Sequence, residues 1–237
     1  QKSTWIAWPH NKKDWPNLFK NIPRVVAEII ANLSNSQKVN LLINRHNDKV
    51  KIRKILNNFD CKLSNIIFYN IPTNRIWLRD SGPIFLVNEI NKNKILLNFK
   101  FNAWAKYSDY QKDNLINNKI SKITKIKKIN PIIKFNNKLK QVVLEGGAID
   151  VNRKGSILLT KECLLSKIQE RNPGITKYIL ENILKKYLNV KNFIWLNKGI
   201  EGDDTHGHID DITRFVSENT IMTAIEKNKK DKNYFNL

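Results

Sequence analysis

The sequence predicts an α/β fold, for two reasons. Short apolar runs of strand length alternate along the chain with longer amphipathic runs typical of helices. The hydrophobic fraction of 41%, with six Trp and ten Phe, is also large enough for a packed core. No run approaches the roughly 18 to 20 apolar residues of a membrane-spanning helix, and no secretory signal is visible at 1–10. We therefore expect a soluble, cytoplasmic protein without a membrane partner.

The predicted elements follow one another along the chain. Strands are predicted at 39–43, 66–68, 84–87, 95–99, 142–144, 148–151, 157–160, 193–196, 211–216 and 220–225. Helices are predicted at 22–33, 48–58 and 176–187, the last preceded by an Asn-Pro-Gly turn and by Thr176 as a candidate N-cap. The lysine-rich stretch 111–138 is interpreted as a mobile helix plus loop at the surface. Units of strand, strand, helix and strand recur loosely, which suggests a repeat architecture.

The net charge of +21 would ordinarily suggest a nucleic-acid partner, because clustered Lys and Arg bind polyanions by releasing counterions. Here the lysines are spread over the whole chain and are interleaved with Asn and Ile. This distribution favours a solvated basic surface and no specific nucleic-acid site. Heparin retention that falls steeply with salt would indicate the alternative, a polyanion-binding protein.

Two carboxylates stand where predicted strands or turns meet glycines, which are common places for site residues. Asp80 belongs to Trp-Leu-Arg-Asp-Ser-Gly-Pro at 77–83, and Glu145 follows the apolar run 142–144 and precedes two glycines. Asp80 could simply cap its Ser-Gly-Pro turn. Glu145 needs a partner because an unpaired buried charge is costly, and a structural ion pair and a functional site are both open.

The segment 202–211 places two histidines and four aspartates within ten positions. Three interpretations stay open from these residues alone. They are a metal site made by His206, His208 and an aspartate, an acid/base His208 with Asp210 as its orienting or substrate-binding partner, and a plain polar turn. The aromatic segment 99–107 favours core packing over a stacking surface.

Two cysteines, Cys61 and Cys163, are too few for a disulfide framework and lack metal-type spacing, which agrees with a reducing compartment. Cys163 is followed by Leu-Leu, with no sign of a helix N-terminus or a Gly-rich loop around it. We interpret it as a buried small hydrophobe, whose thiol pKa burial would raise, and not as a nucleophile.

Several of these segments, taken together and in order, closely resemble the agmatine deiminase family and its near relatives, the bacterial-type peptidylarginine deiminases. They are 8–10 (Trp-Pro-His), 77–83, 101–107, 144–150, 162–165 (Glu-Cys-Leu-Leu), 171–173 and 203–210. The resemblance implies the pentein fold, an α/β-propeller built of ββαβ units around a central polar pocket. We therefore expect 1–237 to be a single α/β-propeller domain, truncated at the C-terminus and with an incomplete set of units.

The resemblance also implies a reaction and a role for each of five residues. Asp80 and Asp210 would hold the guanidinium of the substrate through charge-assisted hydrogen bonds. Glu145 would pair with His208, whose imidazole would protonate departing ammonia and then activate water. Trp77 would form a wall of the pocket and contribute cation–π attraction. The implied reaction is conversion of agmatine to N-carbamoylputrescine, which serves putrescine formation, and it requires neither a metal nor another cofactor.

The family's nucleophile is a cysteine near the C-terminus, in a Gly-rich segment that ends Asn-x-His-Cys, and neither cysteine of this chain matches it. We expect the chain to bind guanidines weakly at best and not to turn them over. Deimination of free or peptide-borne arginine is the second reaction considered. A metal-dependent amidohydrolase and a non-catalytic basic protein are the alternatives outside this class. The oligomeric state stays open, a homo-oligomer included.

Overall fold

The computed structural model describes residues 1–135 and 137–237, which separate into two compact units. The first unit comprises 1–78 and 109–119, and the second comprises 79–108 and 120–237. Compact units can belong to one domain, so the single domain predicted over 1–237 stays a prediction.

The first unit contains a parallel three-stranded sheet whose strands are joined by helices. In chain order its elements are β1 (Ser3–Ala7), α1 (Ile22–Ser34), β2 (Lys38–Ile43), α2 (Asp48–Leu56) and β3 (Ile66–Asn70), and the strand order is β1-β2-β3. Helix α1 has a proline in its first turn and buries Val26, Ala27 and Ile30 in a common core with Val39 and Leu41 of β2. Parallel strands need such crossover helices, which accounts for the βαβαβ order.

The remaining elements form short mixed sheets and hairpins. They are α3 (Leu78–Ser81), β4 (Ile84–Val87), β5 (Lys94–Leu97), α4 (Asp113–Thr124), β6 (Lys127–Ile129), β7 (Ile132–Phe135), β8 (Lys138–Gln141), β9 (Asp150–Val151), β10 (Ser156–Thr160), α5 (Lys161–Leu165), α6 (Lys177–Leu188), β11 (Asn192–Leu196), β12 (Thr213–Phe215) and β13 (Ile221–Thr223). β4 is antiparallel to β5 and β5 is parallel to β6, and β9, β10 and β11 repeat this arrangement. The order strand, strand, helix, strand therefore occurs over β4 to β6, and again over β9 to β11 with two helices, α5 and α6, before the last strand, as the repeat suggested by the sequence implies. β7 with β8 and β12 with β13 form antiparallel pairs.

The core of the second unit lies between β5, β10 and α6. Leu97, Leu159, Leu180 and Leu184 are buried in it, and Thr176 caps α6 by accepting a hydrogen bond from the backbone N–H of Ile179, as predicted. A smaller cluster of Leu158, Ile209 and Ile212 lies apart from it. This cluster places the segment that carries His208 against β10. In the part of the chain that the structure describes, no helix has the length and apolar character needed to cross a membrane.

The predicted strand 142–144 is wrong. The segment forms an isolated bridge to Lys100, and Val142 N also donates to Pro131 O at 2.9 Å, but no strand is formed there. On its other side the side chain of Asn172 takes the place of a neighbouring strand, accepting from Val143 N at 2.9 Å and donating to Val143 O at 2.8 Å. The predicted strand 148–151 is likewise shortened to β9, because Gly146–Ala148 forms a 3-10 turn.

Two further predictions need correction. The helix predicted within 111–138 is present as α4, but Asp113, Ile116 and Ile120 are fully buried, and β6 and β7 follow among the described residues, so the stretch is not a helix and loop at the surface. The predicted strand 211–216 is reduced to β12, because Ile209–Asp211 forms a 3-10 turn.

Candidate active site

Three loops of the second unit carry the four carboxylate and imidazole residues singled out in the sequence. Asp80 lies in α3, Glu145 directly precedes the 3-10 turn Gly146–Ala148, and His208 precedes the 3-10 turn Ile209–Asp211, which contains Asp210. Each loop leads into the first strand of an antiparallel pair, β4, β9 and β12 respectively.

The structure brings these four residues together around the imidazole of His208. Its Nδ1 lies 3.9 Å from Asp80 Oδ1 and 3.7 Å from Asp210 Oδ1. A carboxylate oxygen of Glu145, a ring nitrogen of His208 and Sγ of Cys163 lie within 4.8 Å of one another. Asp80, Glu145 and His208 are buried, whereas Asp210 is partly exposed. The cluster is therefore a largely enclosed, acidic site with one accessible carboxylate.

The carboxylate of Asp80 is held by two donors. Trp104 Nε1 donates to Oδ2 at 3.1 Å, and the backbone N–H of Gly147 donates to Oδ1 at 3.0 Å. The pKa of Asp80 is raised to about 6, mainly by burial and also by the negative charges of Glu145 and Asp210, against the opposing effects of His208 and of the Gly147 N–H. The ionised form of Asp80 is thus disfavoured by its buried position, and a cation bound in the site would stabilise it.

The absence of a side chain at Gly147 leaves room for His208 and Asp80 to lie close to each other. A Cβ atom at this position would lie 2.4 Å from His208 Nδ1 and 2.6 Å from Asp80 Oδ1. At Gly146 a Cβ atom would lie 2.2 Å from the backbone oxygen of Arg79. The two glycines after Glu145 therefore allow the loop to pass directly beside His208 and α3.

Glu145 forms a fully buried ion pair. Arg171 Nε donates to Glu145 Oε1 at 3.0 Å, and both side chains are completely shielded from solvent. Among the described residues, Glu145 Oε2 and His208 Nε2 are buried without a hydrogen-bond partner. The partner that a buried glutamate needs is thus Arg171, which occupies Oε1 and leaves Oε2 without a hydrogen bond.

Asp210 is surrounded by two arginines. Its Oδ2 lies 3.5 Å from Arg79 Nε and 3.9 Å from Arg214 Nη1, and both arginine side chains are about half exposed. Guanidinium groups therefore already lie against the carboxylate that the sequence singled out as a guanidinium ligand.

The loop that carries His208 is shaped by Asp203. This carboxylate accepts from the backbone N–H groups of Thr205, Gly207 and His208 at 2.8, 2.7 and 3.0 Å, and from the hydroxyl of Thr205. Burial by itself would raise the pKa of Asp203, but these hydrogen bonds outweigh it and hold the pKa below its usual value. The loop also needs Gly207, which has a φ of +90° and packs against Glu162.

Trp77 belongs to the first unit, where its ring lies 5.7 Å from the ring of Trp15 and 43% of the residue is exposed. Its role as a wall of the substrate pocket stays a prediction.

Cys163 is buried, as the sequence indicated, and burial raises the pKa of its thiol well above the usual value. The expectation that no helix begins nearby is wrong. Thr160 caps the short helix α5, and its hydroxyl accepts from Cys163 N at 3.2 Å. Complete burial of the thiol outweighs this position in α5, so the thiolate stays disfavoured.

Among the residues that the structure describes, one group of side chains has the spacing of metal ligands, and it consists of Glu145, Cys163 and His208. It differs from the set considered from the sequence, because the ring of His206 contacts the hydroxyl of Ser166 at 3.3 Å. Binding would require the Cys163 thiolate, which complete burial disfavours, and would place a metal cation at Glu145, which is already paired with the guanidinium of Arg171. The chemistry of the group therefore does not favour a metal.

Sequence comparison defines the class of protein. The profile of the Porphyromonas-type peptidyl-arginine deiminase family matches residues 1–237, and the chain belongs to this family. Its fold is the α/β pentein fold of the deiminases, as the resemblance implied.

Particular relatives are deiminases by name. A Legionella pneumophila protein (strain Paris) named "Putative agmatine deiminase" is 32% identical over 235 residues, which are 98% of this chain and 63% of the relative. A C. jejuni agmatine deiminase, solved as a cysteine-to-serine variant with substrate bound, superposes with a TM-score of 0.82 at 32% identity. The match covers 100% of this chain and 65% of the C. jejuni chain. The agmatine deiminase of Enterococcus faecalis superposes with a TM-score of 0.84 at 26% identity, covering 99% and 60%. The chain thus spans less than two thirds of the length of these relatives.

Proposed function

We propose that this chain carries the guanidinium-binding and acid/base residues of a deiminase that hydrolyses agmatine to N-carbamoylputrescine and ammonia. The observation that carries the proposal is the placement of Asp80 and Asp210, on separate loops, at 3.9 and 3.7 Å from one nitrogen of His208. Two carboxylates and an imidazole around one small space suit a planar cation that must be held and then protonated as it breaks down.

Each residue has a distinct step in the proposed reaction. Asp80 and Asp210 bind the nitrogens of the guanidinium, and the positive charge of the substrate stabilises the ionised form of Asp80, which burial disfavours in the free chain. His208 donates a proton to the departing nitrogen, so that ammonia leaves, and then removes a proton from the attacking water. Glu145 stabilises the imidazolium between these steps.

The nucleophile of the proposed covalent mechanism is a cysteine that forms an amidino-thioether. Substrate was captured in the C. jejuni enzyme when a cysteine was replaced by serine, which supports such a nucleophile in that relative. Cys163 is unsuited to this role, because its thiol is fully buried and its pKa is raised. We therefore propose that 1–237 binds agmatine weakly and does not turn it over.

Ligand-observed NMR with agmatine and putrescine tests the proposal, because the two differ by the guanidinium carbon and its nitrogens. We expect the chain to bind agmatine but not putrescine, and Asp210→Asn to abolish agmatine binding. The matched control is Asp60→Asn, an exposed aspartate of the first unit. Equal binding of both amines, or unchanged binding by Asp210→Asn, would contradict the proposed site. Robust ammonia release that Cys163→Ala abolishes would contradict the assignment of the nucleophile.

Deimination of arginine, free or within a peptide, is the second candidate, and the family name together with a solved relative titled a peptidyl-arginine deiminase favours it. The same NMR experiment with arginine and an arginyl peptide distinguishes the two. Preference for agmatine supports the first candidate, and preference for arginine or the arginyl peptide supports the second.

A further inference from the structure

Arg171 stands out because it is a fully buried arginine that the sequence analysis left without a role. Its side chain has no exposure to solvent, although a guanidinium is charged at all accessible pH values. A charge buried in this way is tolerated only when it is paired and its N–H groups are satisfied.

The contacts of Arg171 reach three segments of the second unit. Nε donates to Glu145 Oε1 at 3.0 Å, Nη1 donates to the backbone oxygen of Gln169 at 3.0 Å, and Nη2 donates to the backbone oxygen of Thr205. Thr205 lies in the loop that Asp203 shapes and that carries His208. One planar group therefore joins the glutamate of the site to the loop of its histidine.

These contacts fix which oxygen of Glu145 is available to the imidazole. Oε1 is occupied by Arg171, whereas Oε2 is buried without a hydrogen-bond partner among the described residues, as is His208 Nε2. The other ring nitrogen, Nδ1, faces Asp80 and Asp210. A carboxylate oxygen of Glu145 also lies within 4.8 Å of a ring nitrogen of His208, so the orientation of this glutamate can affect the imidazole.

We propose that Arg171 is a positioning residue, which acts through Glu145 to set the distance and orientation between that carboxylate and His208. The inference rests on the proposed function, since it gives Arg171 a part in preparing the acid/base pair. A lysine would not replace it, because an ammonium on a flexible stem lacks the fixed fork that reaches Glu145 and Thr205 together.

Side-chain NMR of the chain, labelled in arginine and histidine, tests this inference without substrate. The ring signals of His208 are compared at one pH in the wild type and in Arg171→Met, each with Glu145 intact and with Glu145→Gln. We expect Arg171→Met to move these signals when Glu145 is present and to have little further effect after Glu145→Gln. The other groups close to His208 are kept as in the wild type in every variant, because they also affect its ring signals. They are Asp80, Asp210, Asp203, Asp211 and Cys163.

Two further measurements make the test independent of whether Arg171→Met folds. Glu145→Gln should speed exchange of the Arg171 Nε–H with water by about tenfold or more, because a charge-assisted hydrogen bond becomes a neutral one. Arg171→Lys should recover part of the lost stability but not the wild-type His208 signals. The matched control is Arg153→Met, because Arg153 is an exposed arginine of the same unit. This substitution should change neither the stability nor the His208 signals.

The inference is overturned if Arg171→Met leaves the His208 signals unchanged, or moves them equally with and without Glu145. Unchanged Nε–H exchange in Glu145→Gln also overturns it. Loss of agmatine binding while this coupling persists would contradict the proposed function alone. Loss of the coupling while agmatine still binds would contradict the role of Arg171 alone.

Discussion

Gly147→Ala offers a sharp test of the candidate site, because it adds one methyl group at its centre. The new Cβ would lie 2.4 Å from His208 Nδ1, about 1 Å closer than the 3.4 Å of ordinary van der Waals contact, and 2.6 Å from Asp80 Oδ1. The φ of Gly147 is not in the left-handed region, so the perturbation is steric and not a backbone effect.

The substitution must displace the imidazole of His208 or the carboxylate of Asp80. Both side chains are buried, Asp80 is held by Trp104, and the backbone of His208 is held by Asp203. Overpacking of this kind costs about 1–3 kcal/mol of stability. A misplacement of about 1 Å in a site can reduce function by about a hundredfold. We therefore expect Gly147→Ala to lose agmatine binding while it still folds.

The assay combines urea unfolding with ligand-observed NMR of agmatine. Gly155→Ala is the control, since its Cβ would meet no atom closer than 3.9 Å and it bears only the cost of a φ of +90°, about 1–2 kcal/mol. A folded Gly147→Ala variant that binds agmatine as well as the wild type would refute the reasoning. So would a loss of binding in Gly155→Ala of the same size.

Three further predictions follow from the site. Because the folded-state pKa of Asp80 is raised from 3.8 to about 6, its ionisation destabilises the chain as pH rises through that window. Asp80→Asn should reduce this slope in urea unfolding and add on the order of 2–3 kcal/mol at pH 7, while Asp113, whose pKa is also raised to about 6, keeps its own contribution; an unchanged slope would show that Asp80 titrates normally. Trp104→Phe removes the 3.1 Å hydrogen bond to Asp80 and should cost about 1.5–3 kcal/mol of stability and weaken agmatine binding, and loss of neither would mean that this bond is immaterial. In native chain treated with iodoacetamide, peptide mass spectrometry should find the fully buried Cys163 unlabelled while the partly exposed Cys61 reacts slowly, and fast labelling of Cys163 would contradict its burial.

The parts of the fold that the sequence predicted well are those with strong local signals. Helix α1 and strand β4 occur where their patterns placed them, because an amphipathic repeat and a short apolar run are local properties. The prediction of a strand at 142–144 failed because the backbone of Val143 is paired with the side chain of Asn172, which lies 29 residues away. The lysines of the stretch 111–138 concealed Ile116 and Ile120 of α4, whose spacing of four places them on one buried face.

The candidate site likewise contains residues that local sequence patterns indicate and contacts that they do not. Asp80, Glu145 and the His208 loop could be found because each acid or histidine stands beside glycines at the start of a strand pair. The donor from Trp104 to Asp80 and the pairing of Arg171 with Glu145 join positions 24 and 26 residues apart, and no local pattern identifies such partners. The aromatic segment 99–107 does pack in the core, but its Trp104 also serves the site.

The position of the three loops, each directly ahead of a strand pair, bears on how such a protein could have arisen. If the units descend from copies of one ancestral segment, a single kind of loop would have been multiplied along with them. Substitutions at corresponding points could then have produced an aspartate in one copy, a glutamate in another and a histidine in a third. A cluster of different chemical groups would have come from duplication followed by divergence, without separate invention of each loop.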